Sequence, residues 1–449
     1  TARQFILRYA DARRPVILLD IVSDWPAFLE WRLQDGTPAY SNLAQQFDGV
    51  KVPVVDCGPS ATQAYGVAPV TTWSAEEYFS WAAARAEVSS RCSGKQSDTD
   101  CKRNKDRCLY LKDWHFLQDC NKKRLPLPYA VPGYLADPLH DWLNLYFDME
   151  RGGKDDYRFC YVGVEGTSTA LHHDVLLSHS WSANVCGRKH WILFPPDVTA
   201  CLLDARGEAI TSAIPDERPH DWQKRFPRLE EAWAKRWETV QEEGQLIFVP
   251  SGWYHQVRNL TDALSINHNW LNASNARHAW AFLQLELAAV NKAIVDLRDT
   301  FDSIAEYEAH CQTLMRANCG LDCAGWMRLL AFAAEEAARS LASAREICCR
   351  ATPTSNCTER DASAASAALT KSMADDLWTV RWVALQLRSV AEATLTDEGI
   401  ARSAAAKDSP VAVAMVELST VLERLVEQLA QTDDLTPIHK DAPVLQTTT

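Results

Sequence analysis

Between positions 157 and 270 the chain is a succession of short apolar runs punctuated by turn residues. Residues 157–162, 181–186, 191–194, 246–249 and 264–270 are rich in aromatic and β-branched side chains and are bounded by Gly, Pro and Asn. That is the pattern of strands ended by turns, and many short strands of this kind restrict the chain to a barrel or a sandwich. After Asn275 the texture changes to Ala, Leu, Glu and Arg. Trp280, Leu283, Leu287, Val290, Ile294 and Leu297 recur at helical spacing, so they read as the apolar face of one long helix, either core or a homodimer face. Further helices are expected over 322–347, 362–394 and 408–431, with linkers at 351–356 and 407–410. The fold class is therefore α+β.

Upstream of the β-rich block, residues 1 to about 85 mix β-type runs at 15–19 and 52–55 with a helix over 74–85. Thr72 or Ser74, followed by Glu76 and Glu77, reads as the start of that helix, because a hydroxyl and early carboxylates satisfy its free N–H groups. Residues 86–107 are rich in Ser, Lys, Arg and Asp with no apolar period, and read as a mobile surface insertion. The organisation is thus an N-terminal α/β part over 1–107, a β core over 108–275 and a helical region over 276–449.

With 449 residues, 47% of them hydrophobic, the chain can bury a large core. Its formal net charge of -13 argues against direct nucleic-acid binding, which needs a basic surface. No apolar run reaches the roughly 18 residues of a membrane span, so none is expected. The 14 cysteines are scattered without framework spacing, as suits free thiols in the reducing cytoplasm or nucleus. Cys101, Cys108, His115 and Cys120 match no paired zinc knuckle.

Chemistry concentrates at Leu171-His172-His173-Asp174. Side chains alternate faces along an extended chain, so His172 and Asp174 point one way and His173 the other. A third ligand is available at His255, which heads a strand after the Pro250/Gly252 turn. Two imidazoles and one carboxylate leave open positions on a metal, the arrangement of non-haem iron(II) oxygenases, where a chelating 2-oxoacid and dioxygen (O2) can bind. Zinc is the chemical rival, although the set offers no evident base for an activated water. A dicarboxylate cosubstrate needs a cation, and Lys189, ahead of the apolar strand 191–194, is the better candidate, with Arg188 as alternate. Thr169 can add a hydroxyl donor. Tyr78, Tyr161, Asn267 and Asn269 are further polar groups on elements able to face the same interior.

The order Y-R-F-C-Y-V-G, T-x-x-H-x-D, W-S-A-N-V-C-G-R-K-x-W-I-L-F-P-P, G-x-L-I-F-V-P-S-G-W-Y-H-Q-V-x-N-L and S-I-N-H-N-W resembles a Jumonji-C (JmjC) domain of the protein-hydroxylase type. Within that family it is similar to the lysyl hydroxylases of eukaryotic peptide-chain release factor subunit one. The resemblance runs over residues 5 to 345, interrupted at 86–107. It implies a double-stranded β-helix (a cupin-like JmjC barrel) with N-terminal α/β decoration and a C-terminal helical region. It also implies Fe(II) on His172, Asp174 and His255, with the distal carboxylate of 2-oxoglutarate on Lys189 beside Thr169 and Asn269. Tyr78 is carried over by helix position, and Ser182 stands where some relatives have Asn. The implied reaction is hydroxylation of a lysyl side chain of a release factor, driven by decarboxylation of 2-oxoglutarate to succinate. An N-methyl-lysine demethylase and a non-enzymatic cupin-type scaffold are the alternatives.

Overall fold

Alternation of apolar and polar residues in the β-rich block builds two antiparallel sheets whose facing sides enclose the site. The computed structural model describes residues 1–58, 69–91, 107–136, 141–152, 156–208, 210–211, 222–351, 363–404 and 409–432. The rest of the expected insertion, including Cys101 and the basic run 102–105, lies outside the described residues, as do the linker positions 352–356 and 407–408. Two compact units result: one comprises Arg8–Gly133 with Leu143–Trp270, the other Thr1–Leu7, Tyr134–Trp142 and Leu271–Thr449.

The strands of the first unit are β1 (Val16–Leu18), β2 (Lys51–Asp56), β3 (Val70–Ser74), β4 (Leu109–Trp114), β5 (Arg158–Gly163), β6 (Ser168–His172), β7 (His179–Cys186), β8 (Lys189–Phe194), β9 (Trp237–Gln241), β10 (Leu246–Val249), β11 (Tyr254–Asn259) and β12 (Ala263–Trp270). Among the described residues, one sheet has eight strands in the order β1-β10-β7-β12-β5-β4-β2-β3, and the other has four in the order β6-β11-β8-β9. The chain crosses from the larger sheet to the smaller at Gly187. Its φ is +81°, and a Cβ there would lie 2.1 Å from the Asp262 carbonyl oxygen, so only glycine fits this corner.

Period-2 alternation sorts the small sheet into two faces. Trp191 and Leu193 of β8 and Val257 of β11 pack with Ile247 and Val249 of β10, forming the core between the sheets. Ile192 and Phe194 face the other way with Leu171, beneath Val198, Leu202, Phe226 and Leu229, and Tyr254 packs on the same side. The helix expected at 74–85 spans Ala75–Arg91. It is opened as foreseen by Ser74, whose Oγ accepts from Glu77 N–H at 3.1 Å while the Glu77 carboxylate accepts from Ser74 N–H at 2.9 Å. It therefore occupies the first positions assigned to the insertion, because Ala, Arg and Glu there keep good helix propensity.

The second unit is helical. Helices Ala276–Ala293, Ile304–Cys319, Cys323–Ala351, Ser363–Leu395 and Pro410–Thr432 make up most of it, and Trp280 stacks on Trp326 at 6.1 Å. The first helix ends sooner than the stripe predicts. A 3-10 turn covers Val295–Thr300, leaving Leu297 46% exposed and off the apolar face. Helix Ile304–Cys319, capped by Ser303 and closed by Gly320 at φ +84°, buries Tyr307, Cys311, Met315 and Cys319 at four-residue spacing; with a tyrosine and two cysteines that stripe has little aliphatic character, and the helix is not among those expected. No helix among the described residues is long and apolar enough to cross a membrane.

Candidate metal centre

Strand parity carries the three ligands to one place. Leu171 and Tyr254 belong to the outer cluster, so their neighbours His172 and His255 face inward, directly paired across β6 and β11 with ring centroids 4.3 Å apart. Asp174 lies two residues past the end of β6 in extended conformation, with φ -70° and ψ 154°, which keeps it in phase with His172. One donor atom from each of His172, Asp174 and His255 lies within 4.8 Å of the others, and among the described residues this is the group able to hold a metal ion. His173 points outward, its ring edge-on to Tyr254 at 5.1 Å.

The surroundings fix the chemical form of each ligand. Nδ1 of His172 lies 2.8 Å from the Ala170 carbonyl oxygen, and Nδ1 of His255 lies 3.1 Å from that of Trp253. A carbonyl can only accept, so Nδ1 carries the proton in both rings and the Nε2 lone pair is left for a metal. Burial, then the charge of His255, pushes the His172 pKa down to about 4, so the imidazole is neutral at neutral pH. Burial works against the Asp174 carboxylate. The imidazoles of His255 and His172, with hydrogen bonds from Ser180 and Asn269, outweigh it and hold the pKa below the ordinary value. Ser180 Oγ donates to Asp174 Oδ2 at 2.7 Å.

A cavity of about 240 Å³ opens on the triad, lined also by Thr169, Lys189, Trp191, Asn267, Asn269 and Tyr161. Lys189 shares the inward parity of Trp191 and Leu193. It is 2% exposed, and its Nζ donates to Ser265 Oγ at 2.6 Å. Among the described residues no carboxylate pairs with it, and burial pushes its pKa down to about 8. Arg188 faces outward to Glu242 at 2.9 Å. Thr169 lies three residues from His172, an odd spacing that should put it on the opposite face. A bulge resolves this: His172 pairs with His255 and Thr169 with Val257, so β6 spends one extra residue and returns Thr169 to the cavity.

Tyr78 is a correction. Its hydroxyl donates to the Val162 carbonyl oxygen at 2.5 Å, and it is absent from the cavity lining. The hydroxyl also accepts from Leu111 N–H at 3.4 Å, so the fully buried ring ties to the backbones of β4 and β5 and serves the core. Asn269 does line the cavity, and its amide is engaged with Ser178 and Asp174. Asn267 accepts from Ser182 Oγ at 3.2 Å. Tyr161 donates to Asp113 Oδ1 at 2.7 Å.

Several contributors escaped the sequence reading. Ser180 supports Asp174, Ser265 supports Lys189, Trp191 stacks on His255 at 5.8 Å, and Tyr110 hydrogen-bonds Thr169. The alternation within 109–111 was the available signal for Tyr110, since it sets that ring apart from Leu109 and Leu111.

The donor set fits iron(II): two imidazoles, each with Nε2 free for a metal, and one carboxylate on one side of a cavity, with no fourth protein ligand among the described residues. Lys189 fits a dianionic cosubstrate, because an unpaired buried ammonium is costly until an anion joins it. Two antiparallel sheets around such a centre define a cupin-type non-haem iron oxygenase. Residues 2–276 match the cupin-like domain family. The chain is 36% identical over 310 residues to the 2-oxoglutarate and iron-dependent oxygenase JMJD4 of Danio rerio, covering 68% of this chain and 66% of that protein. It is 35% identical over 316 residues to the protein of that name from Homo sapiens, covering 70% and 68%. It is also 34% identical over 332 residues to the arginine-specific demethylase JMJ20 of Arabidopsis thaliana, covering 71% and 64%. The chain thus spans about two thirds of the length of these relatives. It belongs to the cupin-like JmjC family of 2-oxoglutarate- and iron-dependent oxygenases.

Proposed function

We propose that this chain hydroxylates a lysyl side chain of a protein substrate, a eukaryotic peptide-chain release factor. Lys189 is the observation that carries the cosubstrate part of the reading. A buried ammonium whose partner among the described residues is a serine hydroxyl, in one cavity with a His–Asp–His cluster, is a receptor for a dianion that also reaches the metal. The lysyl target is supported by the motif order shared with release-factor lysyl hydroxylases.

Bound iron(II) and 2-oxoglutarate supply the oxidising power: decarboxylation to succinate and carbon dioxide lets one oxygen atom of O2 enter a C–H bond. The chain does the rest by positioning. His172, Asp174 and His255 hold one side of the metal and leave the other open. Ser180 and Asn269 orient Asp174. Lys189, with Thr169 beside it in the cavity, fixes the far end of the cosubstrate. Trp191, stacked on His255, and Val257 keep water from that side of the site.

The test incubates purified release factor subunit one with the enzyme, iron(II), 2-oxoglutarate and ascorbate, and maps the product by mass spectrometry. Gain of one oxygen atom on a lysyl residue is the expected result. The relationship to a protein named arginine-specific demethylase favours a second reading, removal of N-methyl groups by the same site. Formaldehyde released from a methylarginine peptide, with no oxygen gained by release factor, would replace the first reading by the second.

A further inference from the structure

The cavity that holds the triad also holds an acidic group with no assigned work. Asp113 lies in β4 with φ +60°, a conformation uncommon for a residue other than glycine. Around it the pairing of β4 with β5 slips: Leu111 pairs with Val162 but Trp114 pairs with Cys160. Lys112 and Asp113 together therefore stand opposite the single residue Tyr161. The bulge re-aims side chains, and both Lys112 and Asp113 line the cavity. Asp113 is exposed, so it stands at the solvent end, whereas Lys189 is buried.

We infer that Asp113 selects a cationic side chain at this mouth, accepting the ε-ammonium of the target lysine against the ring faces of Phe159 and Tyr161. The inference rests on the lysyl reading of the preceding subsection and adds the residue that reads the charge. Tyr161 donates to Oδ1 of Asp113 at 2.7 Å and so holds the carboxylate in place, leaving Oδ2 for a ligand. Phe159 and Tyr161 lie 6.2 Å apart on the inward face of β5, and both line the cavity. Aromatic faces beside a carboxylate are the usual receptor for an alkylammonium group. Lys112 also lines the cavity, but it forms no ion pair with Asp113, and no other cation among the described residues does. The remaining charged or ligating groups there are His172, Asp174, His255 and Lys189. They belong to the metal and to the cosubstrate, whose charges they balance.

Asp113→Asn keeps the acceptor for Tyr161 and tolerates positive φ, so the variant should fold. In the first experiment the full chain carries zinc as a redox-silent metal, with 2-oxoglutarate present. Saturation-transfer NMR then measures binding of n-butylammonium, n-butylguanidinium and n-butanol. The expected result is at least a tenfold weaker affinity of Asp113→Asn for n-butylammonium, with n-butanol alike in both proteins. Equal n-butylammonium affinity in the two proteins overturns the inference, as does a tenfold preference of the wild type for the guanidinium. The second experiment compares hydroxylation of release factor subunit one. Asp113→Asn should raise KM for that protein at least tenfold while kcat changes less than threefold and KM for 2-oxoglutarate less than twofold. Wild type that hydroxylates lysine no better than Asp113→Asn sinks the role of Asp113 alone. Wild type that binds n-butylammonium through Asp113 yet modifies no lysine sinks the proposed function and leaves the cation site standing.

Discussion

Replacing Lys189 with Met should make the ligand-free protein more stable and the enzyme nearly useless. Met keeps the unbranched length and removes the charge. Burial lowers the Lys189 pKa from 10.5 to about 8, which corresponds to about 3 kcal/mol of folding free energy lost at neutral pH. The folded pKa lies below the unfolded one. The cost is therefore complete below pH 8, is relieved as the pH rises from about 8 towards 10.5, and vanishes above that. Losing the hydrogen bond to Ser265 returns about 1 kcal/mol, leaving a net gain of about 2 kcal/mol at pH 7. Urea unfolding of the metal-free proteins between pH 7 and 10 reads this directly. The variant should be the more stable at pH 7, and the difference should fade as the pH rises. Binding moves the other way: removing the cation that partners a buried carboxylate costs roughly 3 kcal/mol or more, so the 2-oxoglutarate Kd should rise by two orders of magnitude or more. A variant less stable than wild type at pH 7, or one with an unchanged Kd, would refute the reading of Lys189.

Three further changes probe the rest of the centre. His172→Ala and Asp174→Ala should each abolish stoichiometric iron binding and succinate formation, checked by metal analysis and product assay; full turnover in either protein removes the metal assignment. Ser180→Ala deletes the 2.7 Å bond to Asp174 and should weaken iron affinity by roughly 10- to 100-fold, measured by competition with a chelator. Tyr78→Phe should leave KM for 2-oxoglutarate within twofold, because its hydroxyl serves the Val162 carbonyl. The same variant should cost about 1–3 kcal/mol of stability for the acceptor left bare, read by urea unfolding.

What could be foreseen from the residues follows the two rules that govern strands. Alternation within 189–194 places Lys189 with Trp191 and Leu193, and the i, i+2 spacing of His172 and Asp174 survives because Asp174 stays extended after the strand ends. His255 follows the same rule across the pair. Where the reading failed, longer-range packing decided. Strands β3, β4 and β9 are half-exposed or mixed in composition and take their partners from distant positions, such as Val55 with Val70 and Trp191 with Thr239. Helix position alone puts Tyr78 near the cosubstrate, yet its buried hydroxyl bonds the backbones of β4 and β5 instead. The stripe ending at Leu297 overshot because a pattern of apolar residues does not register a break into a 3-10 turn.

The residues that parity could not place belong to the site itself. Thr169 and Asp113 each reach the cavity because a strand carries extra residue against its partner, β6 at Thr169 and β4 at Asp113. A chain optimised only for pairing would not keep such slips, nor a positive φ at Asp113, nor a buried ammonium at Lys189 with no carboxylate partner among the described residues. Each is a local cost in the empty protein. The charge cost at Lys189 has a specific remedy, since a dianion beside it restores the electrostatic balance that burial removed. Binding of cosubstrate must then stabilise the fold beyond what contact area alone supplies, and Lys189→Met should lose most of that extra increment. An equal rise in Tm on adding saturating 2-oxoglutarate and metal to wild type and variant would show that the buried charge is not what the cosubstrate answers.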